Sequence, residues 1–405
     1  MIKLITAYTN EVDDIKKAIN EIYEQLDIKT NMRKNTIGIV HYYYEYDENG
    51  VLQILTDILP FKIVGSVSIY LTNGKKYGDT ALSVTMLTGD DVEFQMYSID
   101  NVGNKTQEEI NYALEEIYID MKKSEKPKLA LTYMPTLSHY SVDNFINRVN
   151  KDQDPILFFG NLAYYVGTSN YKGHIFINGR TTADTIIFIA IYGKLEPEFH
   201  ISSSFSLDDD LMNEGEITDV DGSILKTING ISAVQYLKEQ GMMSTPNTLI
   251  NSTTWLLPAI LVYPNGLKIV RAFPSIVEGT EYIYTTGSLE KGSKIKFSFL
   301  DGEKTLASAR KFCESCNILR VNDVLTYSCG ARAWSLGLNN FGEVKTFIEC
   351  SKNYESLNKT PINFTVAYAG GEICPILDKT GKLINALHHY SLVACSFNKL
   401  DPEIK

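Results

Sequence analysis

The chain has 405 residues, 44% of them hydrophobic, and a formal net charge of -11. That length exceeds what one core usually supports, so two domains or one large repeated domain is expected. The negative charge argues against a nucleic-acid binder, which would carry a basic face, and against attraction to an anionic membrane surface. No run approaches the roughly 18 apolar residues of a membrane span.

From the N-terminus, Met1 to Ile5 is too short for a secretion signal and soon meets Glu11, Asp13 and Asp14, so a cytoplasmic location is expected. Residues 10–27 read as an amphipathic helix with Asn10 as its cap, since Ile15, Ala18, Ile19, Ile22 and Leu26 recur at helical spacing. A strand over 36–42, a short helix over 51–59 stopped by Pro60, and a strand over 63–71 follow. Asn73-Gly74 marks a turn, and 81–87 and 92–99 are strands. A long helix over 106–123 leads to a second pass in the same order: a strand over 128–133, a helix over 141–149, and strands over 156–165, 185–192 and 198–203. Glycine-to-tyrosine spacing repeats too, Gly65 to Tyr70 and Gly160 to Tyr165. A third copy begins at Asp323, with a helix near 340–351 and strands from Ile362 and Ser391. Repetition of one unit implies a duplicated fold.

Between the second and third copies the pattern changes. An acidic run, Asp208 to Asp210, signals a linker, and a domain boundary is placed near residue 205. A hairpin turns at Asp221-Gly222, and a helix over 232–240 stops at Gly241. Residues 244–248 read as a loop, and a second hairpin pairs 259–263 with 268–271 across Pro264 to Gly266. Many hairpins and 25 tyrosines favour strands. The fold class expected is α+β: duplicated units of mainly antiparallel sheet backed by helices, in two domains.

The chemistry-bearing residues concentrate late in the chain. The strand over 324–328 runs into Cys329, Gly330 and Arg332, with Trp334 beyond; the strand over 362–368 runs into Gly370, Gly371 and Glu372. Two strand ends that each carry small residues and one charge build a polar cradle. The plain alternative is a pair of turns whose charges face water, or an Arg332–Glu372 ion pair that only ties the strand ends. All six cysteines lie between Cys313 and Cys395; Cys313 and Cys316 have the spacing of half a zinc site, but no second half follows, so structural thiols and no metal are expected. Phosphate-loop, dinucleotide and nucleophile-elbow motifs are absent. Cys329 as a nucleophile would need nearby positive charge, from Arg332 or a histidine. His388 and His389 are expected to alternate along the last strand, so that only one faces a pocket.

These late segments, Ser328 to Arg332, Gly370 to Ile373 and Leu387 to Leu392, resemble the C-terminal half of the FIST sensory domain. Residues 215–236, 269–271 and 287–292 are similar to the start of that segment, and Val64 to Ser66 and Phe159 to Asn161 resemble the N-terminal segment more loosely. The resemblance spans about residues 36–397 and implies a FIST N-like domain over 1–205, made of two related units, and a FIST C-like domain over 206–405. Both N-terminal units lack the acidic turn residue, which directs attention to the C-terminal copy.

The resemblance implies a stand-alone sensor of a small polar ligand, such as an amino acid, acting through a separate partner protein and without catalysis. Arg332 would hold a carboxylate, Glu372 an ammonium, and Trp334 an apolar wall, with Cys329, Gly370, Gly371 and His389 completing the site. The alternatives are a heme-binding nitric-oxide sensor, which needs an axial ligand from among six histidines, and a Cys-dependent enzyme.

Overall fold

The computed structural model describes residues 2–136, 140–163, 173–205, 213–241, 258–273, 275–319, 323–359 and 362–397. Asp208 to Asp210, the loop over 244–248, Tyr165 and His139 lie outside the described residues.

The first unit holds β1 (Lys3–Thr9), α1 (Ile15–Leu26), the short α2 (Ile28–Asn31), β2 (Asn35–Tyr42), the short α3 (Glu45–Glu48), α4 (Val51–Ile58), β3 (Ile63–Val67), the hairpin β4 (Leu71–Thr72) and β5 (Tyr77–Gly78), and β6 (Leu82–Gly89). Helix α1 starts later than its apolar pattern suggests, because Asp14, not Asn10, supplies the cap by accepting from the Lys17 amide. The second unit repeats the plan: β7 (Val92–Asp100), α5 (Gln107–Met121), β8 (Leu129–Met134), α6 (Val142–Val149), β9 (Phe158–Leu162), the hairpin β10 (Ile175–Ile177) and β11 (Arg180–Thr182), and β12 (Thr185–Gly193). Helix α5 opens on a complete capping box between Thr106 and Glu109.

The third unit begins with β13 (Glu198–Ser203) and is then interrupted by an insert. The insert comprises β14 (Gly215–Asp221), β15 (Ile224–Ile228), β16 (Ile231–Ser232), α7 (Ala233–Glu239), β17 (Ala259–Val262), β18 (Lys268–Arg271), β19 (Ser275–Ile276), β20 (Ile283–Tyr284) and β21 (Lys294–Phe297). The unit resumes with α8 (Gly302–Leu319), β22 (Asp323–Cys329), α9 (Gly330–Ser335), α10 (Gly342–Asn358), β23 (Asn363–Ala369), the hairpin β24 (Gly371–Leu377) and β25 (Leu383–His388), and β26 (Ser391–Ser396).

Each unit builds one six-stranded sheet around a single parallel pair, β2 with β3, β8 with β9, and β22 with β23. The last strand of the unit pairs antiparallel on one side of that pair, and the first strand forms the sheet edge beyond it. The hairpins cross over. β4–β5 joins the third sheet, β10–β11 the first, and β24–β25 the second. The strand expected over 63–71 therefore breaks after Val67, because Leu71 pairs in a different sheet. The insert forms its own eight-stranded sheet. The result is an α+β fold of antiparallel-rich sheets with backing helices.

The three sheets meet on aromatic rings from β2, β8 and β22. His41, Tyr133 and Tyr327 are fully buried, with ring centroids 5.5–6.5 Å apart, and the two tyrosine hydroxyls lie 2.9 Å apart.

Candidate functional site

Strands β22 and β23 run parallel with Cys329 opposite Ala369, so the two glycine-bearing ends are neighbours, as expected. Past Gly370 the chain leaves this sheet. Strand β24 pairs Glu372 with Asn161 of the second unit and with His388. The glycines are needed for close packing: a Cβ on Gly370 would sit 2.9 Å from the Ala163 carbonyl oxygen, and one on Gly371 3.1 Å from His389 Nε2.

Arg332 is fully buried, and its charge partner is Glu343 at the start of α10 rather than Glu372. Its Nε and Nη2 donate to Glu343 Oε1 at 2.9 and 2.5 Å. Nη2 also reaches Ser308 Oγ at 2.8 Å, and Nη1 reaches the Tyr390 carbonyl at 3.4 Å. The second Glu343 oxygen accepts from Ser328 Oγ at 2.7 Å and from the Tyr368 hydroxyl at 2.6 Å. This network is closed on itself, as a buried ion pair must be to offset its desolvation. Sequence reasoning missed Glu343 because an acid in the first turn of a helix normally faces water; the apolar Val344 and Phe347 beside it were the available sign of a buried turn.

Glu372 differs. It too is fully buried, yet neither carboxyl oxygen has a hydrogen-bond partner among the described residues. Burial pushes this carboxyl well above the usual carboxylate range; Arg332, the Cys329 thiol and the Ser391 amide act in the opposite direction. Burial, then the neighbouring Glu372 carboxyl, pushes the Cys329 thiol up, which disfavours the thiolate a nucleophile requires.

His388 and His389 do not alternate along one strand. His388 ends β25, His389 and Tyr390 form the turn into β26, and Tyr390 takes the left-handed conformation at φ 57°. Both imidazoles are buried. His388 Nε2 lies 3.0 Å from the Cys374 carbonyl, and burial lowers its pKa to about 4. His389 Nδ1 has no partner among the described residues, and burial followed by the Arg271 charge holds the ring neutral.

The structure thus places Cys329, Arg332, Gly371, Glu372 and His389 as buried neighbours, with the half-buried Gly370 beside them. Trp334 is 45% exposed and stands outside this group. The insert covers the group: Ile260, Val270 and Ala272 pack on Cys329, Ala331 and Tyr390. Beside that contact, Arg271 of β18 donates from Nη2 to both Asp143 oxygens at 3.0 and 3.1 Å and from Nη1 to the Leu387 carbonyl at 2.6 Å. One guanidinium therefore joins the insert, α6 and the β24–β25 hairpin, another link that sequence spacing did not reveal.

No three metal-ligating side chains cluster among the described residues. No histidine lines either of the two best-formed cavities among the described residues. No helix among the described residues is long and apolar enough to cross a membrane. In comparison with known proteins, residues 36–231 match the FIST N domain and residues 233–375 match the FIST C domain. No curated protein sequence matches the chain.

Proposed function

The chain belongs to the FIST family of sensory domains, and from that premise we propose that it detects a small amine-bearing solute, amino acids included, at the Glu372 group and signals through a separate protein. The observation that carries this reading is the buried Glu372 carboxyl, neither of whose oxygens has a hydrogen-bond partner among the described residues. A buried polar group without a partner costs free energy, and a ligand that supplies the missing donors recovers it. The charge balance sets the ligand class. Glu343 already neutralises Arg332, so the group offers one spare acid and no spare cation. An ammonium fits; a ligand carboxylate has no claim on Arg332 and needs other donors.

Entry requires the apolar contact of Ile260, Val270 and Ala272 with Cys329 and Tyr390 to part. Binding is thereby tied to the position of the insert, which is the change a partner protein would read. It is also tied to pH. Burial favours the protonated carboxyl of Glu372 in the free protein and a bound ammonium favours the carboxylate, so affinity strengthens as pH rises toward the raised pKa.

The test is a thermal-shift screen with simple amines and amino acids at pH 6 and pH 8, on the natural chain and on Glu372→Gln. A stabilising solute whose effect is larger at pH 8 and vanishes in the variant is the expected result. Equal shifts in both proteins would remove Glu372 from the site.

A further inference from the structure

The sheets do not treat their outer strands alike. Strand β1 is the outer strand of the first sheet, and side chains close its free edge. Asp323 accepts from the Leu4 amide at 3.2 Å, and Gln25 accepts from the Tyr8 amide at 3.1 Å and donates to the Tyr8 carbonyl at 2.8 Å. Strand β7 holds the same place in the second sheet, beyond β12. Ile191 of β12 lies opposite Phe94, and its carbonyl accepts from the Lys128 amide on the β8 side. The ladder between β12 and β7 therefore skips this pair, and the N–H and C=O of Phe94, and of Met96 two residues on, point away from β12. Neither backbone finds a partner on that side among the described residues. Only the Val92 carbonyl does, accepting from Asn35 Nδ2 at 2.6 Å.

A cavity of about 320 Å³ lies against that edge, lined by Phe94 and Met96 together with residues from 32–37 and 60–62. Ile37 and Phe61 add to its apolar lining, and Arg33, Lys34 and Lys62 supply its charge. All three cations are exposed, and none has an ion pair among the described residues. No acid lines the cavity, in a chain whose net charge is -11. Asp90 accepts from the Lys34 amide but is not part of the lining. Phe94 and Met96 pack toward the core of the first unit and Tyr97 toward that of the second, so strand alternation sends Glu93 to the far face.

We propose that the β7 edge docks an extended acidic segment of another protein, which adds a strand beside Phe94 and Met96, sets apolar side chains into the cavity and pairs its carboxylates with Arg33, Lys34 and Lys62. The open edge offers donors and acceptors in turn at strand spacing, which another backbone matches and a small anion, having acceptors alone, does not. Main-chain bonds of this kind give affinity, and the cavity beneath them gives selectivity. The charges select against a second copy of this chain, because pairing two β7 edges sets two basic clusters side by side. The surface is separate from the Glu372 group and stands whether or not that group binds an amine.

A displayed library of random peptides of about eight residues, a common strand length, selected on the natural chain, tests it. Enriched sequences are expected to be acidic with apolar residues two apart, and the synthetic peptides to bind more weakly as salt is added. Lys34→Glu together with Lys62→Glu, exposed changes that leave the melting temperature in place, should weaken those peptides by about tenfold or more. Met96→Pro removes one outward N–H and no bond to β12, and should weaken them too, which a purely ionic contact would not do. Backbone N-methylation of the peptide removes its own donors and should abolish binding, so strand pairing is tested whether or not the proline variant folds. Glu372→Gln should leave peptide binding unaltered, which separates this surface from the amine site. No enrichment, enrichment of neutral or basic sequences, equal affinity in the double-lysine variant or for the N-methylated peptide, tighter binding of a single-stranded oligonucleotide, or a dimer of this chain that Met96→Pro dissolves would each overturn the proposal.

Discussion

At the scale of single residues, burial decides chemistry more than identity does. Arg332 and Glu372 look alike in the sequence, one charge at each of two glycine-bearing strand ends. In the fold one is saturated by Glu343, Ser308 and Tyr390, while neither carboxyl oxygen of the other has a hydrogen-bond partner among the described residues. His41 shows the same rule in the core. Its ring sits between Tyr133 and Tyr327 with neither nitrogen hydrogen-bonded among the described residues, and burial lowers its pKa to about 3. A folded-state pKa below the unfolded value near 6.5 means that the neutral ring is required. Stability from this residue is complete above pH 6.5 and is lost as pH falls toward 3, by about 1.4 kcal/mol per pH unit. His41→Leu, which needs no protonation state, should retain stability at pH 7 and show an acid limb shallower by about that amount. Urea unfolding at pH 7, 6 and 5 measures it; an unchanged slope would show that His41 does not control acid lability.

At the scale of elements, two glycines explain why the units are built alike. A Cβ on Gly65 would stand 1.8 Å from the Val40 carbonyl oxygen, and one on Gly160 the same distance from that of Thr132. Each lies opposite its partner in the parallel pair of its own sheet. The third unit has Val366 opposite Thr326, so this close approach belongs to the first two units. Gly160→Ala should force β8 and β9 apart and cost about 3 kcal/mol or more, beyond ordinary overpacking because the obstacle is backbone. A melting temperature within a degree of the natural chain would refute the packing argument. The repeat of glycine spacing was legible in the sequence for this reason, although its purpose was not. Strand β3 was overextended in the sequence reading because Ile69 to Leu71 is as apolar as a strand; only the crossing into another sheet ends it at Val67.

At the scale of the whole molecule, the three units exchange hairpins in a closed cycle, and no sheet is complete without a neighbour. Strand β13, at 198–203, finds its partner in β26, and β9 finds one in β24. The segment 1–205, proposed from sequence as the N-terminal domain, should therefore not fold cooperatively alone. Expressed by itself it is expected to bind a hydrophobic dye and to lack a sharp thermal transition, where the full chain melts in one step. A fragment that melts sharply with native near-ultraviolet dichroism would show that the exchanged strands are dispensable. Arg271 also joins the insert, the second unit and the last hairpin into one seam.

The sequence by itself determined the element types, the repeated unit, the α+β class and the two strands whose ends, at Cys329 and Ala369, lie side by side. These follow from local periodicity, turn residues and strand adjacency, which act over a few residues. Tertiary structure alone decided that Arg332 belongs to Glu343, that Trp334 faces outward, that the insert closes over the group, and that Arg271 joins the insert to the second unit. Those outcomes depend on which side chains meet across distant segments, and on whether water is excluded where they meet. Charge pairing in a protein interior is set by that exclusion, and spacing along the chain carries no record of it.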